Sequence, residues 1–167
     1  MNYLLDANTL IEAKNRYYQM NICPGFWDWV KLGQDTGVLR SVVSVRTELR
    51  RGNDELAQWA KDNSGLFHLE SDAPTQAACG EVAQYLAAQA QPMKAGGLEE
   101  FLAGADPWLI AKARVTGAAV VTHERLNLQN RKKFLIPNVC QHFGVTCLDT
   151  FELLNLMEAR FVLASKV

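Results

Sequence analysis

The opening run constrains this chain most. Tyr3-Leu4-Leu5 is apolar and stops on a carboxylate, Asp6, after which Asn8 and Thr9 introduce a new apolar-periodic segment at Leu10 and Ile11. A short apolar run closed by polar residues and followed by helical spacing predicts a buried strand, a turn and a helix. In an open parallel sheet the carboxyl ends of the strands form the ligand crevice. Asp6 would stand at that edge. From this stretch alone two readings stay open, a cap for the following helix, since Asp and Asn are favoured there, or a residue of a site.

The same grammar recurs. Residues Val38 to Val43 read as a second, β-branched strand. Ser44 then serves as N-cap of a helix running to about Asn63, with Val45, Leu49, Leu56, Trp59 and Ala60 inside. Glu48 falls one turn into that helix. Its neighbours Arg46, Arg50 and Arg51 allow a helical ion-pair ladder, yet its side chain also projects back toward the edge that holds Asp6. Leu66 to Leu69 read as a third strand, followed by a helix from about Pro74 to Ala90 and a flexible connection from Gln91 to Gly97. Asp106-Pro107 forms a capping pair at the start of another helix. That helix leads to a fourth strand, Ala118 to Thr122, which ends in His123-Glu124. Val145 to Leu148 read as a fifth strand. Asp149-Thr150 opens a last helix bearing Phe151, Leu154, Met157 and Phe161, an apolar stripe that packs on the core or forms part of a dimer face. Asp6, Glu48 and Glu124 thus follow predicted strands and Asp106 opens a helix, an arrangement that unselected surface charge would rarely give.

Composition bounds what such an edge can do. A length of 167 residues fits a single domain, 1–167, burying about two-thirds of its unfolded surface. Hydrophobic residues at 49% and charged residues at 21% argue against disorder and against a membrane protein. With a net charge of -1, a nucleic-acid surface must be a local patch. Lys14-Asn15-Arg16-Tyr17-Tyr18 offers cations beside aromatic rings, which suits single-stranded nucleic acid, although an exposed helix end looks the same. Phe26, Trp27 and Trp29 read as core, and His68, without an acidic or nucleophilic neighbour, as structural or exposed. No leader-like segment or bilayer-length apolar run is evident. Cys23, Cys79, Cys140 and Cys147 form no C-x-x-C pair, and the spacing of Cys140, His142 and Cys147 fits none of the usual zinc patterns. Reduced thiols in the cytoplasm are the expectation.

Taken together, the segments L-L-D-A-N-T, S-V-R-T-E-L, G-A-D-P-W-L-I-A-K-A and V-V-T-H-E resemble the successive motifs of the PIN-domain nucleases. F-W-D-W-V, D-E-L-A-Q-W-A and I-P-N-V-C extend the resemblance, over nearly the whole chain, to a PIN-like subgroup catalogued as a domain of unknown function. The resemblance implies a three-layer α/β/α sandwich with a central, mainly parallel sheet of about five strands. It also implies a metal-dependent endoribonuclease using magnesium or manganese. By position, Asp6, Glu48 and Asp106 match the three core acids, and Glu124 stands where the family has an aspartate. Asp6 and Asp106 are the implied principal metal ligands, Glu48 completes the acidic pocket, and Asn8 and Thr122 match supporting polar positions. At Asn138 the subgroup often has an aspartate. Many small relatives are toxins that act as homodimers and are silenced by a cognate antitoxin, so both partners are implied here.

Carboxylates gathered in one place suit a hard divalent cation, which takes oxygen ligands and keeps several waters. Without the ion they repel one another and some pKa values rise. Lys14, Arg16, Arg46 and Arg50 are candidates for guiding an RNA backbone. Arg131-Lys132-Lys133 carries the same charge, but solvated surface is the stronger reading there. One alternative is a non-catalytic module of this fold that binds RNA or protein. A phosphatase using an aspartyl-phosphate would need a general acid close behind Asp6, and Asn8 cannot supply a proton.

Overall fold

A computed structural model describes residues 1–163. Five short strands, β1 (Tyr3–Leu5), β2 (Leu39–Val42), β3 (Phe67–His68), β4 (Ala119–Val121) and β5 (Cys147–Leu148), form one sheet in the order β3-β2-β1-β4-β5. Every ladder is parallel. Tyr3 pairs with Leu39 on one side and Ala119 on the other, and Leu5 pairs with Val121. All residues of β1 and β4 are buried, as strands covered on both faces must be. The helices complete a three-layer α/β/α sandwich.

The strand order locates the crevice. From β1 the chain moves to β2 and β3 on one side, then crosses over to place β4 and β5 on the other. The direction reverses between β1 and β4, and at such a switch point two crossovers diverge and leave a cleft at the carboxyl edge. Asp6 and Thr122 are the residues immediately after those strands.

Nine α-helices are described: α1 (Ala7–Asn15), α2 (Pro24–Asp35), α3 (Val43–Arg51), α4 (Glu55–Asp62), α5 (Ala73–Ala88), α6 (Gly97–Ala103), α7 (Asp106–Thr116), α8 (Ile136–Phe143) and α9 (Thr150–Leu156). α5 packs along α7, and α3 contacts both α1 and α4. Phe26 and Trp27 are buried, as the aromatic spacing implies. The Trp27 indole donates to the Tyr18 carbonyl at 2.7 Å and pins α2 under the end of α1. Where α2 crosses β2, a Cβ on Gly33 would stand 2.4 Å from Leu39 Cγ, so only glycine permits this approach.

Several boundaries differ from the expectations. The helix expected from Ser44 to Asn63 is two helices. The chain breaks at Gly52-Asn53, where Asn53 adopts φ 48, and Asp54 caps the second helix by accepting from Ala57 N at 3.0 Å. Nor does Ser44 cap α3. The Glu70 carboxylate does so from a distance, accepting from Val43 N and Ser44 N at 2.9 Å each. Asp106 is not a cap either: Ala105 holds the cap position, Asp106 is the first helical residue, and its side chain accepts no capping bond. The last helix stops at Leu156. Leu153 and Leu154 of its apolar stripe are buried on the core, whereas Phe161, beyond the helix, packs among Tyr18, Phe26 and Trp29.

Candidate active site

Four selected acids line one cavity. Asp6, Glu48, Asp106 and Glu124 surround a space of about 250 Å³ together with Asn8, Glu100 and Lys133. Each arrives on a different element. β1 delivers Asp6, α3 delivers Glu48 from beside β2, α7 presents Asp106 from its first turn, and the segment after β4 brings Glu124. The carboxyl edge of a parallel sheet gathers residues that are far apart in sequence.

Hydrogen bonds fix three of these acids. Asp6 is 1% exposed, and its Oδ2 accepts from Thr122 Oγ1 at 2.9 Å. The same threonine oxygen accepts from Glu124 N at 3.2 Å, so one hydroxyl ties the ends of β1 and β4 to the fourth acid. Thr9 Oγ1 donates to Val121 O at 2.9 Å and Ser41 Oγ to Leu5 O at 2.6 Å, which satisfies carbonyls at the strand ends. Glu48 forms none of the ion pairs that its arginine neighbours allow among the described residues. Its Oε1 instead accepts from Ala105 N at 2.8 Å, beside Asp106. Glu124 has both oxygens engaged, Oε1 by Lys133 Nζ at 2.5 Å and Oε2 by Ile136 N at 2.7 Å at the start of α8.

Charge in this cavity is under-compensated. Burial pushes the Asp106 carboxyl up to about 8, with the Asp6, Glu124 and Glu48 charges adding to the rise and Lys133 opposing it. Burial likewise lifts Asp6 to about 6; the Thr122 hydrogen bond pulls it back, while Glu124 and Glu48 raise it. The Lys133 ammonium is held above its usual range, chiefly by its hydrogen bond to Glu124.

Oxygen donors under mutual repulsion suit a hard divalent ion. Among the described residues, however, no three His, Cys, Asp or Glu side chains stand close enough to chelate one as a set. Glu48 and Glu124 are instead committed to partners within the chain. Among the described residues only Glu124 has both oxygens engaged; Asp6 and Glu48 each use one oxygen in a side-chain hydrogen bond and Asp106 uses none, and magnesium commonly takes only one or two carboxylates, with water in the rest of its shell. In chemistry, though not as a preformed chelating set, these oxygen donors suit such an ion.

Asn8 and Thr122 sit at this site, Asn8 in the cavity wall and Thr122 against Asp6. The four cations singled out from sequence lie outside the lining. Lys14 pairs with Asp54 and Arg16 with Glu12, each at 2.5 Å, while Arg46 and Arg50, both on α3, are not among the residues that enclose the cavity. Two further lining residues are ones that sequence reasoning misses. Glu100 comes from α6, a helix hidden in sequence behind the glycines at 96 and 97, and Lys133 belongs to a charged run that reads as solvated surface. Asn138 clamps a loop: its Nδ2 donates to Asn127 O at 2.8 Å and its Oδ1 accepts from Asn127 N at 2.9 Å. His142 stacks on Tyr85 with centroids 3.7 Å apart, so it does not join Cys140 and Cys147 in a metal site.

A family model described as a domain of unknown function, DUF4411, matches residues 3–161. The chain belongs to the DUF4411 family. No curated protein matches this DUF4411 chain. Among solved structures it is similar to one described as VapBC2 from Rickettsia felis bound to a DNA fragment from their promoter, with a TM-score of 0.53 and 13% identity. The match covers 89% of the DUF4411 chain and 98% of the other. At that identity the likeness is one of fold, and the fold is PIN-like. Among the described residues no helix is long and apolar enough to cross a membrane.

Proposed function

We propose that this chain is a divalent-metal-dependent endoribonuclease that hydrolyses phosphodiester bonds, and that it is the toxin of a toxin–antitoxin pair. One observation carries the reading: Asp6, Glu48, Asp106 and Glu124 line a single cavity at the switch point of the sheet. A divalent ion bound there would supply electrophilic stabilisation of a phosphoryl oxygen and a more acidic water. Asp6 and Asp106 would hold the ion. Thr122 orients Asp6 by donating to Oδ2, Glu48 fixes the start of α7 through Ala105 N, and Glu124 holds Lys133 at the rim. The raised Asp106 carboxyl supports a site whose charge is completed by a cation from outside the chain. The structural relative, named as VapBC2, supports a protein partner for this chain as well, and we place that antitoxin over the acidic cavity. A homodimer and cytoplasmic residence belong to the same proposal.

A second reading has an observation in its favour. No chelating set of three acids is preformed among the described residues, as a non-catalytic RNA- or protein-binding member would have it. One assay separates the two. Structured and unstructured RNA is incubated with the purified chain in magnesium, manganese or EDTA, beside Asp6→Asn and Asp106→Asn. Cleavage that needs metal and is lost in both variants is expected. Binding without cleavage in either metal would favour the second reading.

A further inference from the structure

The acidic cavity shares part of its wall with a second cavity. Lys133 and Phe134 also line an adjoining cavity of about 210 Å³, whose wall includes Tyr85, Met93, Asn130 and Arg131 and contains no acidic residue. The loop that builds this wall is braced by its own side chains. Asn130 Oδ1 accepts from Lys132 N at 2.8 Å, and Arg131 Nη1 donates to Leu128 O at 2.8 Å. Arg131 O accepts from Lys94 N at 2.7 Å, joining the loop to the segment before α6, and the Asn138 clamp closes its other end. Arg131, Lys132 and Lys133 are therefore exposed on a braced loop, with Lys94 beside them.

A third cavity, which shares Glu124 with the acidic one, has the other sign. Its volume is about 630 Å³, and in its lining Glu124, Asp149 and Glu152 outnumber Arg125. A polyanion leaving the acidic cavity is repelled there and attracted on the Lys133 side. Lys133 donates to Glu124, and an ammonium carries three donors, so its shared position reaches both cavities. Phe134, half-buried and edge-on to Phe101, is the apolar residue in the wall that the two cavities share.

We propose that the cavity beside Arg131 and Lys133 is a subsite for single-stranded RNA, holding the phosphate backbone that flanks the bond at the acidic cavity. The inference rests on the ribonuclease reading for its substrate, and it moves the RNA path from α1 and α3 to the 127–134 loop.

The test is binding of a labelled single-stranded RNA oligonucleotide to the full chain in EDTA, across a series of potassium chloride concentrations. Arg131→Ala combined with Lys133→Ala is expected to weaken binding about tenfold and to lower the log–log salt slope by about 0.7 for each phosphate that is no longer neutralised. Arg46→Ala combined with Arg50→Ala should change neither, and Lys133→Arg should bind like the wild type. Melting temperatures establish that the variants are folded, and Arg131→Ala alone, which leaves the bond between Lys133 and Glu124 intact, should give about half the change in slope. Equal losses from both double variants, losses only from the α3 pair, or a wild type that does not bind RNA would overturn the subsite. RNA binding that depends on Arg131 and Lys133 without cleavage in magnesium or manganese would uphold it and remove the nuclease reading.

Discussion

At the scale of single residues, the site depends on groups whose ionisation the fold disfavours. Asp106→Asn removes the most strongly raised carboxyl. It should lower metal-dependent cleavage by more than the roughly 10- to 100-fold typical of outer-shell substitutions, and in EDTA at pH 8 it should raise the melting temperature. A variant that loses activity and also melts earlier would show that Asp106 is needed for folding and not only for metal. Thr122→Val tests the hydroxyl between Asp6 and Glu124. Loss of both bonds should reduce cleavage about 10- to 100-fold while the chain stays folded, as steady-state rates beside far-ultraviolet circular dichroism would report. Asp6, Glu48, Asp106 and Glu124 are legible in the sequence because each follows a strand or opens a helix. Lys133 is not, since the loop that brings it to the rim of the cavity is held by hydrogen bonds of Asn130 and Asn138, tertiary contacts that a run of cations does not reveal.

At the scale of elements, the strands are legible and the ends of helices are not. Short apolar runs such as Ala119–Val121 announce buried parallel strands whatever their neighbours do. The start of α3 depends on Glu70, distant in sequence, which propensity at Ser44 does not reveal. Glu70→Ala leaves two helix amides without that acceptor and should cost about 1 kcal/mol, read as a lower urea midpoint at unchanged slope. An unchanged midpoint would mean that water serves those amides equally well. At the crossing of α2 and β2, Gly33→Ala forces a methyl against Leu39 and should cost about 1–3 kcal/mol, a loss that Leu39→Ala in the same chain should partly relieve. Full additivity of the two changes would deny the contact.

At the scale of the whole molecule, the acidic cavity couples stability to pH. Asp6 titrates near 6 and Asp106 near 8 in the folded state, whereas both return to the ordinary carboxylate range, near 4, on unfolding. Between about pH 4 and 8 the folded chain therefore holds more protons, and its stability falls as pH rises. Below that window both states are protonated and the penalty vanishes; above it the penalty is complete. Thermal melts in EDTA should show a declining midpoint from pH 5 to 8, and magnesium or manganese should restore it most at the upper end by binding the folded state. A midpoint in EDTA that stays level over this range would contradict the shifts. The hydroxyl bridge from Thr122 to Asp6 joins residues 116 apart in the chain. On a ribosome, β1 must wait for β4 to emerge before its second neighbour exists, so a partly made chain has Asp6 but no finished cleft around it. Under the proposed nuclease function, synthesis itself would thus keep the nascent protein from attacking the message that encodes it, and chains halted before residue 119 should cut no RNA in a stalled-ribosome assay.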